Sequence, residues 1–65
     1  MKIFYGVQSR FYGVRCDYNF PPVRRRIVEF VGNTIPKDEC NDFFSITWFP
    51  RYEDALWFLH ELEKR

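Results

Sequence analysis

The segment Val23-Arg24-Arg25-Arg26-Ile27-Val28-Glu29-Phe30-Val31 decides the fold, because it supports two incompatible periodicities. As a strand it sets Arg26, Val28 and Phe30 on one side and Arg25, Ile27, Glu29 and Val31 on the other. As a helix it gathers Val23, Ile27, Phe30 and Val31 on one stripe, with Pro21-Pro22 before it and Gly32 just past its end. Ile27, Val28 and Val31 are β-branched, which restricts them in a helix and suits them to a pleated surface. A strand is expected, with a second short helix at residues 22–31 as the alternative.

Upstream, Lys2 to Gln8 and Phe11 to Tyr18 are both rich in aromatic and β-branched residues, and Gln8 to Arg10 is short enough to turn between them. An antiparallel hairpin is expected. Phe4-Tyr5-Gly6-Val7 recurs as Phe11-Tyr12-Gly13-Val14, but a repeat this short signals no solenoid. Asn19-Phe20-Pro21-Pro22 breaks the pattern, since proline removes a ladder donor and restricts the residue before it.

Downstream, Gly32 to Asn41 carries Gly, Asn, Pro and charge and is expected to be a loop. Asp42 to Phe49 then alternates as a strand, with Phe44, Ile46 and Trp48 on one face and Phe43, Ser45, Thr47 and Phe49 on the other. Pro50 ends it. The spacing predicts a helix over Tyr52 to Arg65, with Tyr52, Ala55, Leu56, Leu59 and Leu62 on one stripe. Glu53 and Asp54 in its first turn and Lys64 and Arg65 in its last complement the helix dipole, and Glu61 can pair with Arg65. At 100° per residue Trp57 lies opposite Leu59, on the side expected to face water.

The fold class that follows is α+β: a small antiparallel sheet of three to four strands with the C-terminal amphipathic helix packed on one face. At 65 residues one domain, 1–65, is all the length allows, near the lower limit for a core without staples. A 46% hydrophobic and 22% aromatic composition supports a folded core, because large rings bury much area per residue.

The formal charge of +1 conceals a polarised chain. Residues 1–31 carry six basic and two acidic side chains, +4, and residues 32–65 carry four basic and seven acidic ones, −3. Such a dipole can orient a partner, whereas a uniformly basic chain would point to nucleic acid. Met1 leads directly into strand-like sequence without signal-peptide features, and no apolar run approaches the roughly 18 residues of a membrane span, so a cytoplasmic protein without membrane contact is expected. Without an export signal, Cys16 and Cys40 are expected to be reduced thiols, although a single bridge is compatible with the sequence.

Chemistry-bearing motifs are scarce. The lone His60 sits on a helix flank, and neither cysteine occupies a nucleophile motif, so no catalytic residue is assigned. Cys16, Cys40 and His60 match no paired zinc-ligand spacing, so no metal site is assigned. Gly6, Gly13 and Gly32 are scattered and form no phosphate loop, and no cofactor is assigned.

The basic and aromatic residues offer more. If Ile3, Tyr5, Val7, Tyr12, Val14 and Cys16 pack under the helix, alternation forces Lys2, Phe4, Phe11 and Arg15 onto the opposite sheet face. With Arg24, Arg25 or Arg26 nearby, that face mixes rings with guanidinium groups, the composition of protein hot spots. The contact candidates are therefore Phe4, Phe11, Arg15, Arg24, Arg25, Arg26 and Trp57.

The expected function is non-enzymatic: a small binding protein, an inhibitor or regulator acting through a protein–protein interface. The alternative is single-stranded RNA or DNA binding through the same face, by base stacking and phosphate neutralisation. A protein partner ranks above nucleic acid because the charge is nearly balanced and no RNP-like string is present. A sheet with one bare face also makes a homodimer a serious reading.

Overall fold

The computed structural model describes residues 8–19 and 21–64 of the chain. Strands β1 (Ser9–Asp17), β2 (Arg24–Gly32), β3 (Glu39–Cys40) and β4 (Phe44–Phe49) form one antiparallel sheet in the order β2-β1-β4-β3, and helix α1 (Tyr52–Glu63) follows. The α+β class is thus as expected. The deciding segment is a strand: all nine residues of β2 pair in unbroken register with β1, from Asp17 opposite Arg24 to Ser9 opposite Gly32. Nine ladder positions outweigh the proline and glycine punctuation that favoured a helix.

The expected N-terminal hairpin needs correction. Ser9 and Arg10 are not a turn but the first residues of β1, paired with Gly32 and Val31. Lys2 to Val7 lie outside the described residues. From Tyr12 to Asp17, β1 is flanked on both sides, by β2 and by β4. The expected loop 32–41 also contains a two-residue strand, β3.

Alternation across the registers sorts the side chains into two layers. Tyr12, Val14 and Cys16 of β1 share one face with Arg25, Ile27, Glu29 and Val31 of β2 and with Ser45, Thr47 and Phe49 of β4. Helix α1 packs on this face. Its Ala55 is completely buried against Val14 and Cys16, and Val23, Ile27, Phe49, Phe58, Leu59 and Leu62 close around them. Phe58, absent from the expected stripe, meets Phe49 at 5.4 Å between ring centroids. Tyr52 is more exposed than its stripe position suggested, held edge-on by Tyr12 at 5.4 Å. Glu61 pairs with Lys64 at 3.6 Å, one position before the expected Arg65, which lies outside the described residues.

Cys16 and Cys40 are both free thiols, one buried and one exposed. Both stand opposite Ser45, on its two sides. Their backbones are therefore two strand spacings apart, about 10 Å, beyond the reach of a disulfide.

Two side chains shape the β3–β4 edge. Asn41 Oδ1 accepts the backbone N–H groups of Phe43 and Phe44 at 2.7 and 2.9 Å, and the Asn41 N–H donates to the Phe44 carbonyl at 3.0 Å, closing a tight turn. Asp38 Oδ1 accepts the N–H of Trp48 at 2.8 Å, taking the place of a strand that ends too early to supply a carbonyl there. Asn41→Ala removes both side-chain bonds and is expected to lower stability by about 1 kcal/mol, the usual worth of such a cap. A denaturant midpoint measured at unchanged slope checks this.

Candidate functional site

The face of the sheet opposite α1 carries Phe11, Gly13, Arg15 and Asp17 from β1, Arg24, Arg26, Val28 and Phe30 from β2, and Phe44, Ile46 and Trp48 from β4. Strand alternation alone produces this set once the strand order is known. Its centre is organised around Gly13. A Cβ there would stand 2.9 Å from both Ile46 Cγ2 and Trp48 Cε3, so the indole lies directly across the glycine backbone. Phe30, diagonally across β1, meets the same indole edge-on with centroids 6.1 Å apart. A missing side chain in the central strand thus lets rings from two non-adjacent strands touch.

Beside this aromatic pair lies a charged row. Arg15 donates through Nε to Asp17 Oδ1 at 3.0 Å, and its Nη2 is 3.0 Å from the same oxygen. The guanidinium also lies over the Phe44 ring, 4.2 Å from its centroid. Arg24 stands opposite Asp17 and Arg26 opposite Arg15. Asp17 therefore sits among three arginines and offsets one of their charges. Tyr18 follows Asp17 but reaches the helix-side residue Ser45, its hydroxyl 2.6 Å from Ser45 Oγ, while its backbone N–H donates to the Phe43 carbonyl at 2.8 Å.

The sequence candidates divide in this geometry. Arg15, Arg24 and Arg26 come together on the helix-free face, with Arg15 half-buried and the other two exposed. Phe11 shares that face but is only 9% exposed, so it is a packed ring beneath the surface rather than a free contact. Arg25 points to the helix side, in register with Cys16, as strand alternation requires. Phe4 lies outside the described residues. Trp57 is 65% exposed, as its position opposite Leu59 predicts, but it stands on α1, on the far side of the sheet from Arg15, Arg24 and Arg26. Its neighbours at helical spacing include Glu53, Asp54 and Glu61, so its surroundings are acidic.

Phe30, Phe44 and Trp48 were not among the candidates, although their alternation was legible. What was missing was which strands neighbour β1: only the order β2-β1-β4 brings the Phe30 and Trp48 rings into contact across it. Among the described residues no group of three or more His, Cys, Asp or Glu converges as metal ligands would, and no helix is long and apolar enough to cross a membrane. No protein-family model matches the chain, and neither a curated protein nor a solved structure is significantly similar to it.

Proposed function

We propose that this chain is a small binding protein, an inhibitor or regulator, that grips a protein partner with the helix-free face of its sheet. The observation that carries this is the edge-on Phe30–Trp48 pair, its indole seated over Gly13, bordered by Arg15, Arg24 and Arg26. Preassembled rings lose little conformational freedom on binding, and aromatic residues with arginine at the margin are what protein interfaces concentrate. Two features favour protein over single-stranded nucleic acid. One ring face that could stack a base, that of Phe44, is already occupied by the Arg15 guanidinium. The Arg15 charge is in turn largely committed to Asp17, which weakens phosphate attraction.

The test is affinity capture from the native host, followed by titration of the recovered protein. Trp48→Ala is expected to weaken that complex at least tenfold, because central aromatics dominate interface energy. Arg24→Ala with Arg26→Ala is expected to act mainly on the association rate and its salt dependence. If a single-stranded oligonucleotide binds instead, with affinity falling steeply with salt and lost in the double arginine variant, the protein-partner proposal fails in favour of nucleic acid.

A further inference from the structure

The two edges of the sheet are treated very differently. On one side the edge strand β3 is two residues long, and the Asp38 carboxylate occupies the exposed Trp48 N–H beyond it. On the other, β2 runs for nine residues without a proline or a break in register, and among the described residues no strand borders its outer side. A long exposed strand edge presents backbone donors and acceptors to a further strand, which proteins normally shorten, cover or charge.

We propose that β2 is the interface of a symmetric dimer, pairing antiparallel with β2 of a second copy about an axis through Ile27. Two-fold pairing of identical antiparallel edges keeps the two faces in register, so only the centre is left to choose. Centring on Arg26 sets that arginine against its own copy, and centring on Glu29 does the same with a carboxylate; both are repulsive. Centring on Val28 leaves every charge opposite an apolar or glycine position. Centring on Ile27 sets Arg25 opposite the partner's Glu29 and Glu29 opposite the partner's Arg25, two ion pairs from one contact.

The apolar residues agree with that centre. On the helix side Ile27 meets its copy and Val31, 53% exposed in the single chain, meets the partner's Val23. On the other face Phe30 meets the partner's Arg24, a cation-over-ring pairing, and Val28 meets the partner's Arg26. Arg25 and Glu29 are available for the two ion pairs. Arg25 makes no ion pair with a described residue, and Glu29 reaches only Arg10, at 3.5 Å and with both side chains more than half exposed. The arginine run thus does two things: it disfavours unwanted strand partners by repulsion, and it selects one self-complementary register. The resulting eight-stranded sheet would carry two copies of the Phe30–Trp48 surface side by side, and it stands whether or not that surface binds a partner.

Sedimentation velocity over a concentration series tests the proposal. A monomer–dimer equilibrium is expected, weakened at least tenfold by Arg25→Glu or by Glu29→Arg, and restored to within about threefold by both together, since the double swap rebuilds each pair reversed. Circular dichroism establishes that the variants stay folded. A chain that is monomeric throughout, single swaps without effect, or a folded double variant that fails to recover overturns the proposal. With Cys40→Ser as background, Ile27→Cys is expected to form a disulfide-linked dimer, because directly opposite residues stand about 4.5–5.5 Å apart. Cross-linking through Val28→Cys instead would refute the Ile27 centre. Arg25 and Glu29 lie on the helix side of the sheet, so their swaps should leave partner capture by the helix-free face unchanged, which separates failure here from failure of the partner site.

Discussion

Gly13→Val is expected to abolish or nearly abolish the fold, with a loss of at least about 3 kcal/mol, at the upper end of overpacking penalties. The new Cβ alone would come within 2.9 Å of Ile46 Cγ2 and of the Trp48 ring, and valine adds two methyl groups beyond it. Neither neighbour can yield cheaply. Ile46 is itself buried, and Trp48 has its backbone N–H tied to Asp38 while its ring is held against Phe30. Elsewhere a glycine in a central strand is a weakness that valine would repair, by restoring β propensity and removing unfolded-state entropy. The sign of the change at Gly13 therefore decides whether the indole really crosses that backbone. Chemical denaturation measures it, and the milder Gly13→Ala should fall between valine and the parent. A stabilised Gly13→Val protein would mean that the aromatic pair is not seated as described.

Ala55→Asp is expected to be at least as damaging, for an electrostatic rather than a steric reason. Ala55 is 0% exposed, pressed between α1 and the Val14–Cys16 floor, and no polar or charged side chain is buried among the described residues. A carboxylate placed there has no donor to satisfy it. Burying an unpaired charge costs more than about 4 kcal/mol, close to the whole stability a core of this size supplies. Loss of the cooperative thermal transition and of near-ultraviolet aromatic dichroism is the expected result. Ala55→Gly provides the control, since it removes only a methyl and some helix propensity and should cost about 1–2 kcal/mol. If aspartate were no worse than glycine, α1 would not lie on the sheet where the packing puts it.

The two predictions probe opposite layers, and the layers differ in how they were legible. The helix was readable because its evidence is local: Ala55, Leu59 and Leu62 recur at helical spacing, and acids occupy the first turn. Strand alternation in 9–17, 24–32 and 44–49 was equally local, so which residues share a face within each strand follows from period two. The segment Val23 to Val31 was harder because its punctuation and its side chains disagree. Pairing along the whole of β1 decides for the strand, a contact between residues as far apart in sequence as Ser9 and Gly32.

What the chain by itself determined is thus the C-terminal helix, the strands around 11–17 and 44–49, the exposure of Trp57 and, once a segment is a strand, the side on which each of its residues falls. These depend on backbone geometry within a few residues. Which strands lie beside which is a different kind of information, since it is set by hydrogen bonds and packing between distant segments. Only the order β2-β1-β4-β3 brings Phe30 and Trp48 together across β1, sinks Phe11 beneath the surface, and leaves β2 at the edge of the sheet among the described residues. The segment that first divided between strand and helix is for that reason also the one on which the self-pairing now rests.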